Sequence, residues 1–554
     1  MSVLELMEQL KQEKIRINVE GSDLKISAGK DSLTKDILEK IRSNKQELIG
    51  FLSKTVTDAA QRIEAIPDAP YYRVSCSQKR LWMMDQLAEQ KSVNNILYSR
   101  RYRGHLDTTT LGLALKDLIH RHEILRTIFF EEGSAVYQRV LMPSQAVCEP
   151  VFIDISAGID KETRIRSLID SENGFVFDLG NAPLLRMVVA RQGESDYWLI
   201  LTMHHIISDQ WSGDLFLRQL IGAYEQYQLG EFSPAPPARL QYRDYAAWQN
   251  DMLERPAASA HRVYWLHQLN GDLPKLQLPA DYPRPRVKTA AGAHHRCVLD
   301  PTLVDRLVQL ARQNNCSLFT VLLATITTLL YRYTGTEDLI LGVPVAGRDH
   351  RDLEEMLGCF INTLPIRSRF QGQHSFRDLI GITNQTLLAG YSHQAYPFDQ
   401  LVEDLNIPGD RSRSPLFDVL VNFNAATIRE PLPTTTGNDS DEAPISKFDC
   451  SFFFTQYSNG LTVAVNYSTD LFTAERISRL LDHYSTLLHS ITLDPDRPIQ
   501  SLEYLSAAEQ QLLKQFNATD TPVDLSSSLV ELWEQAVDRF THAPALRCDQ
   551  LQLS

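Results

Sequence analysis

The first 54 residues change hydrophobic periodicity twice. Apolar positions at the start recur at near-helical spacing, which predicts a helix. Strand formers then fill residues 15–20 and 23–27, and the Gly-Ser pair between them is typical of a two-residue hairpin. Residues 35–54 return to a helical pattern. This order predicts a small αββα unit, whose hairpin edge either accepts a further strand or has no partner.

Proline-containing polar breaks divide the rest of the chain. They lie at 55–70, 230–240 and 517–522 and read as exposed connectors. After the last break an amphipathic helix begins, and the chain stops soon afterwards, as a truncated further domain would. The expected segments are an N-terminal unit at 1–60, one lobe at 68–235, a second lobe at 236–505, a linker at 506–525, and the start of a further domain at 526–554.

Residues 197–227 hold the clearest local pattern. Tyr197 to Met203 is rich in strand formers, so we expect a buried strand. His204 and His205 end this strand, and the positions after Ser212 follow a helical pattern. We therefore expect Ser212 to be the N-cap of that helix, and the histidines to lie at a strand-to-helix turn.

The two histidines are expected to have different roles. Adjacent residues at a strand end point to opposite faces, so only one imidazole can enter a given cavity. This argues against a metal site, which needs both rings to converge. Asp209 follows His205 by four residues and is close enough to bind a histidine or an arginine.

Composition narrows the function further. The net charge of −14 disfavours nucleic acid as a partner, because phosphate binding needs a basic face. Seven cysteines occur without a C-x-x-C pair, so neither a disulfide framework nor a zinc site is expected. No apolar run approaches the ~20 residues that span a bilayer. We expect a cytoplasmic protein with reduced thiols.

The N-terminal segment resembles a known docking unit. LKISAGKDSLTKDILEKIRSNKQELIGFL (24–52) is similar to the N-terminal docking domains of the tubulysin type. The resemblance implies that residues 1–54 bind the C-terminal tail of an upstream synthase subunit. It also implies contacts from the hairpin, for which Arg16, Asn18 and Lys25 are the candidates.

Seven further segments resemble, in order, the motifs of nonribosomal peptide synthetase condensation domains. The segment at 204–210 is similar to the HHxxxDG signature of that family, and the residues after 526 resemble the opening of an adenylation domain. The motif segments are SCSQKRLWMMDQL (75–87), RHEILRTIF (121–129), HHIISDQ (204–210), YRDYAAWQ (242–249), LGVPVAGRDH (341–350), MLGCFINTLPIR (356–367) and YPFDQLVEDL (396–405).

The resemblance implies a mixed α/β (α+β) fold. Two chloramphenicol-acetyltransferase-like lobes would form a V-shaped pseudo-dimer behind the docking domain, with a tunnel between them. Carrier proteins would deliver an acyl thioester and an aminoacyl thioester on phosphopantetheine arms, and an amide would form on the downstream arm. No cofactor bound covalently to this chain and no metal are expected.

The resemblance also implies residue roles. His205 is our candidate for the catalytic residue, as a base for the attacking amine or as a group that positions it. His204 and Asp209 complete the catalytic loop, and Arg348 is the guanidinium expected to pair with Asp209. A weak surface ion pair is the alternative for that pair.

Several residues are expected to line the tunnel. Trp211 either lines it or packs in the core, Asn362 would present its amide, and Ser212 lies beside them. Gln210 departs from the family, which has glycine there. A glutamine adds bulk near the donor thioester, and glycine alone would permit positive φ.

Three interpretations remain from the sequence. The first is an active condensation domain that takes a carrier-bound donor from another polypeptide, followed by an adenylation domain and a carrier in the same full-length chain. The second is a weak or inactive scaffold that gathers carrier proteins, supported by Gln210. The third is a starter-type domain that uses an acyl-CoA.

Overall fold

A computed structural model describes residues 62–553, except 89–90, 158–159, 231–236, 426–444, 458–459, 521–525 and 550. Of the first 61 residues it describes two strands, β1 (Arg16–Glu20) and β2 (Asp23–Ser27). These strands pair antiparallel, with Asn18 opposite Lys25, so the predicted hairpin pairing is confirmed. The helices predicted on either side of them, and the connector at 231–236, lie outside the described residues.

The amino-terminal lobe is built on two sheets. A four-stranded sheet has the order β4-β9-β8-β7, and a three-stranded sheet has the order β3-β6-β5. Its elements are β3 (Tyr72–Arg73), α1 (Cys76–Leu87), β4 (Asn95–Arg103), α2 (Thr108–Arg121), β5 (Thr127–Glu132), β6 (Ala135–Val140), β7 (Val151–Asp154), α3 (Lys161–Asn173), β8 (Leu185–Gly193), β9 (Asp196–His204), α4 (Gln210–Gln228) and α5 (Tyr242–Glu254).

The carboxyl-terminal lobe has a single six-stranded sheet with the order β10-β15-β14-β13-β11-β12, in which β13 runs parallel to both neighbours. Its elements are α6 (Pro256–Gln268), β10 (Gly292–Val298), α7 (Pro301–Gln313), α8 (Leu318–Thr334), β11 (Asp338–Val345), β12 (Asn362–Arg369), α9 (Phe376–Ser392), α10 (Phe398–Asp404), β13 (Val419–Ala425), β14 (Cys450–Tyr457), β15 (Gly460–Ser468) and α11 (Ala474–Leu493).

Helix α8 is buried in the core of this lobe and has a clear signal at each end. Its residues from Phe319 to Leu330 are all buried, because helices α7, α9 and α11 pack against it. Ser317 caps its amino end by accepting from the amide of Thr320, and Gly335 ends it in the left-handed conformation (φ 69°). A helix that is buried on all sides is expected inside a large core.

A segment between β11 and β12 crosses from one lobe to the other. The crossing segment is residues 353–360, and its apolar side chains pack into the core of the amino-terminal lobe, although both flanking strands belong to the carboxyl-terminal sheet. Two glycines permit the crossing. Gly347 has φ +63°, and a Cβ there would lie 2.0 Å from the carbonyl oxygen of Phe360. At Gly358 (φ +154°) a Cβ would lie 1.9 Å from the ring of Tyr242.

The predicted lobe boundary at 235/236 stays a prediction. Tyr242 and Tyr245, which follow it in sequence, pack in the core of the amino-terminal lobe. The crossing segment likewise contributes to the core of the lobe opposite to its strands. The core of the amino-terminal lobe therefore includes side chains from beyond residue 236, and no single boundary residue divides the chain into the two cores.

Residues Leu505–Ser554 form a separate compact unit. Its elements are α12 (Ala507–Phe516), α13 (Leu529–Arg539), β16 (Leu546–Cys548) and β17 (Leu551–Leu553). The first of these helices lies inside the segment predicted to be a linker. The amphipathic helix predicted after residue 526 is confirmed as α13, on which Trp533 is 58% exposed.

Among the described residues, no single helix has both the length and the apolar character required to cross a membrane. Helices α7 and α8 meet the criterion only as a pair bent by 107°.

Candidate active site

The histidine loop joins β9 to α4. Strand β9 ends at His204, a short 3-10 turn covers His205–Ile207, and α4 begins at Gln210. The predicted strand is thus confirmed, but the predicted N-cap is wrong. The cap is Asp209, the last residue with extended backbone, and its side chain accepts from the amide of Ser212 at 2.8 Å. Ser212 already lies inside the first helical turn.

The ring of His205 is held in one tautomer. Its Nδ1 lies 2.8 Å from the carbonyl oxygen of Ser208. Because a carbonyl oxygen only accepts, Nδ1 carries the hydrogen and Nε2 keeps its lone pair. The Sγ of Cys359, from the crossing segment, lies 3.6 Å from the same Nδ1. Burial, followed by the charge of Lys447, lowers the pKa of His205 from 6.5 to about 4. The imidazole is therefore neutral at neutral pH, with Nε2 able to accept a proton.

The ring of His204 is buried and faces another element. Its Nδ1 accepts from the amide of Ile206 at 3.1 Å, so Nε2 carries the hydrogen. That Nε2 lies 4.0 Å from Oδ1 of Asp85 on α1, and both side chains are almost fully buried. Burial lowers the pKa of His204 to about 3. His204 therefore lies in the packing between β9 and α1, whereas His205 anchors the turn.

Asp209 uses both carboxylate oxygens inside the protein. Oδ1 accepts from Ser212 and, at 3.3 Å, from Nη2 of Arg348, while Oδ2 accepts from the amide of Phe360 at 2.9 Å. The side chains of Asp209 and Arg348 are only 4% and 2% exposed. The carboxylate therefore ties the histidine loop to the crossing segment.

Arg348 and Ser212 complete this connection. Arg348 also donates to the carbonyl oxygens of Leu353 and Met356 and to the hydroxyl of Ser212. The Ser212 hydroxyl donates to the carbonyl of Gly358 at 2.7 Å and accepts from the Gly358 amide at 3.1 Å. Its hydrogen and both lone pairs are thus occupied, and it has a structural role in the loop.

The other residues predicted near the tunnel have different surroundings. Gln210 is exposed, and its side chain bonds to Asp214 one turn further along α4. The indole of Trp211 donates to the carbonyl of Glu354 at 3.1 Å, and the ring is 39% exposed. Both side chains remain accessible, so their expected place beside a substrate stays a prediction.

Asn362 has no polar group left for a substrate. Its amide nitrogen donates to the carbonyls of Gln394 and Tyr396, each at 2.8 Å. Its oxygen accepts from the amides of Thr363 and Phe398, each at 2.9 Å. The side chain fastens β12 to the start of α10, and these contacts lend no support to the expected tunnel-facing amide.

The sequence interpretation overlooked three groups close to the histidines, namely Asp85, Cys359 and Lys447. Asp85 and Cys359 lie inside two of the motif segments, so position within a motif was a usable signal. Lys447 precedes β14 and belongs to no motif. Its Nζ donates to Oδ1 of Asn94 at 3.1 Å, which joins the two lobes beside the start of β4. Asn95, the next residue, pairs with His204 in the sheet.

Ion pairs also join the lobes around α1. Arg80 lies 3.5 Å from Asp399, and Lys79 lies 3.0 Å from Glu403, both on α10. A cleft of about 540 Å³ opens at the same junction, where residues of α1, β6 and α5 line it together with Tyr396 and Asp404. His205 is not among its lining residues, so the tunnel expected at His205 stays a prediction.

The fold and the histidine loop together define a two-lobed protein of the chloramphenicol-acetyltransferase-like class, with one neutral imidazole held where the lobes meet. Comparison with known proteins gives the family. The condensation domain model matches residues 69–514, and the TubC N-terminal docking domain model matches residues 3–54. The chain belongs to the condensation-domain family of nonribosomal peptide synthetases, whose members are amide-bond-forming acyltransferases. The predicted family and fold class are confirmed.

Curated relatives are much longer than this chain. Surfactin synthase subunit 1 of Bacillus subtilis (strain 168) is 37% identical over 85% of the chain, which covers 13% of that protein. Tyrocidine synthase 3 of Brevibacillus parabrevis is 34% identical over 92% of the chain, which covers 8% of it. Among solved structures, the complex of the X-domain and OxyB from teicoplanin biosynthesis is 25% identical, with a TM-score of 0.72 over 80% of this chain and 98% of that one.

Proposed function

We propose that this chain joins two carrier-bound substrates through an amide bond. The upstream carrier presents an acyl or peptidyl thioester, and the downstream carrier presents an aminoacyl thioester with a free amine. The amine nitrogen attacks the thioester carbonyl, a C–N bond forms, and the C–S bond breaks. The leaving thiolate takes up the proton that the amine has lost, so no external reactant is consumed. Phosphopantetheine arms come from the carriers.

His205 is the residue to which we assign transfer of the amine proton. The supporting observation is the bond from Nδ1 to the carbonyl of Ser208, which leaves the Nε2 lone pair unused by the loop. A neutral imidazole accepts a proton from the amine, or holds the amine by a hydrogen bond, and later returns the proton to the thiolate. Because a thioester is already activated, positioning contributes a large share of the rate enhancement.

The Asp209–Arg348 pair supports this assignment indirectly. It fixes the amino end of α4, four residues after His205, against the crossing segment. A buried ion pair adds little net stability, because the free-energy cost of removing both charges from water offsets their attraction. We therefore assign Asp209, Ser212 and Arg348 to holding the loop, with no direct role in proton transfer.

The docking unit is assigned to an upstream partner. Residues 1–54 would bind the C-terminal tail of another synthase subunit along the β1–β2 hairpin, where Asn18 and Lys25 occupy paired positions and Arg16 lies two residues before Asn18. Strand addition to a hairpin edge supplies backbone hydrogen bonds, and flanking side chains supply selectivity. The downstream carrier and adenylation domain would follow in the full-length chain, and we place the protein in the cytoplasm.

A condensation assay with loaded donor and acceptor carriers tests the function. We expect amide product from the wild type and a loss of at least ~10²-fold in His205→Ala, the lower range for removal of a general base. His120→Ala is a matched control, because that histidine is exposed on α2. Full activity in His205→Ala would overturn the catalytic assignment.

Gln210 favours one alternative, a scaffold that gathers carriers without catalysis. It replaces the family glycine at the first position of α4 and remains exposed. Absence of product from the wild type with several donors, together with product from Gln210→Gly, would support this alternative. Amide product from the wild type at the same rate as from Gln210→Gly would exclude it.

A further inference from the structure

Helix α1 carries an acidic side chain that is buried beside the histidine loop. Asp85 is 1% exposed, although acidic residues are almost never fully buried unless they are paired. The helix packs against the turn His205–Ile207. At Oδ2 of Asp85, Nζ of Lys91 lies 3.6 Å away, and Nε2 of Gln86 donates at 3.4 Å. The other oxygen, Oδ1, lies towards His204.

His204 presents a hydrogen to that oxygen. Its Nδ1 accepts from the amide of Ile206, so the ring hydrogen is on Nε2, which lies 4.0 Å from Oδ1 of Asp85. Within the part of the chain that the structure describes, neither Nε2 of His204 nor Oδ1 of Asp85 has a hydrogen-bond partner, and both atoms are enclosed by protein. The ring itself is packed edge to face against Phe177, with 6.3 Å between the ring centroids.

Burial favours a bond between these two atoms. Buried polar groups almost always have a hydrogen-bond partner. The 4.0 Å separation exceeds an N–H···O bond by about 1 Å, which side-chain motion of ordinary amplitude closes. Asn95, opposite His204 in the sheet, also has a side-chain oxygen that accepts from no described donor. A carboxylate is a stronger acceptor than a neutral amide oxygen, so Asp85 is the partner that we assign.

We propose that Asp85 is a positioning residue for the condensation reaction, which binds the Nε2 hydrogen of His204 and so fixes the turn that carries His205. The bond favours the tautomer whose Nδ1 accepts from the amide of Ile206, in the middle of the turn. The side chains of Ile206 and Ile207 are buried, so the turn has little freedom once this amide is held. Asp85 therefore acts on the reaction through His204.

Hydrogen exchange of the histidine rings tests the contact without depending on catalysis. NMR of ¹⁵N-labelled histidine follows each ring hydrogen, and His204→Phe and His205→Gln assign the signals by their loss. Asp85→Leu removes the acceptor at similar volume. We expect the Nε2 hydrogen of His204 to exchange at least ~10-fold faster in this variant, because a bond to a charged group is lost. The Nδ1 hydrogen of His205 should also exchange faster, because the turn is less constrained.

Two matched variants separate this contact from a general effect on the lobe. Asp85→Asn keeps an acceptor oxygen without the charge, so we expect a smaller increase in exchange, about threefold. Asp117→Leu also removes a carboxylate, but one that accepts from Tyr227 near the opposite end of α4. It should leave both ring signals unchanged. Thermal unfolding verifies that each variant is folded.

Condensation kinetics measure the effect on the reaction. In Asp85→Leu we expect kcat to fall about 10-fold while KM for each carrier stays within about twofold, because the base is misplaced and the carriers still bind. In the His204→Phe background, Asp85→Leu should cause no further loss, since both changes remove one contact. Asp117→Leu should leave kcat unchanged.

The inference rests on the base role proposed for His205, and the two measurements distinguish them. Unchanged exchange at His204 in Asp85→Leu would overturn the inference, whatever the rate. Equal losses of kcat from Asp85→Leu in the wild type and in His204→Phe would also overturn it, because Asp85 would then act by another route. Faster exchange at both rings with an unchanged kcat would support the contact and overturn the base role of His205. If Asp85→Leu does not fold, unchanged exchange and kcat in Asp85→Asn would refute the inference.

Discussion

Replacing Asp209 with asparagine tests how strongly the buried ion pair holds the histidine loop. The asparagine oxygen can still accept from the Ser212 amide, but its NH₂ group would then face the amide of Phe360, a donor opposite a donor. One hydrogen bond to a charged group is lost, at about 1.5–3 kcal/mol. Arg348 is also left buried without a counter-ion. Removing one partner of such a pair costs about 3–5 kcal/mol, and we expect about 3 kcal/mol because the isostere keeps part of the contacts.

Asp196→Asn is the matched control. Asp196 pairs with Arg101 through two shorter contacts, 2.8 and 2.6 Å, but these side chains are 25% and 29% exposed. Water screens this pair, so we expect a cost of about 0–1 kcal/mol. Urea unfolding of both variants measures the difference, and circular dichroism verifies that each is folded beforehand. A loss below about 1 kcal/mol in Asp209→Asn, or equal losses in the two variants, would refute the argument from burial.

Three other predictions follow from single contacts. Gly213→Ala should prevent normal packing of α4, because a Cβ there would lie 1.8 Å from the ring of Tyr98. Gly222→Ala on the same helix is the control: its Cβ would meet nothing within 4 Å, and it should stabilise the protein by about 0.5–1 kcal/mol in thermal unfolding. Burial lowers the pKa of His122 from 6.5 to about 4, so its contribution is complete above pH 6.5 and falls by about 3 kcal/mol as the pH drops to 4. His122→Gln should flatten the pH dependence of the unfolding free energy between pH 6.5 and 4. An unchanged pH dependence in this variant would show that His122 does not cause it. Deleting residues 1–54 should weaken binding of the upstream subunit and spare reaction from a fused donor carrier, and unchanged binding would count against docking.

Local patterns predicted the elements of the site well. The run of strand formers before His204 is strand β9, and the apolar spacing after Asp209 is helix α4. The N-cap was assigned to Ser212 in error because serine and aspartate are both good caps, and the choice between them depends on where the backbone turns. Once Ser212 lies inside the helix, its hydroxyl is free to bind the crossing segment.

The amino-acid sequence by itself determined the family, the order of strand, loop and helix, and the identity of the paired histidines. Each of these depends on periodicity or on residues close together along the chain. Only the tertiary structure decided what surrounds His205. Arg348, Cys359 and Lys447 come from parts of the chain remote from the loop, Arg348 being 139 residues beyond Asp209. Arg348 and Cys359 reach the histidine loop because two glycines permit a segment of one lobe to pack in the other. The charge state of an imidazole depends on distance and burial, which linear spacing does not contain.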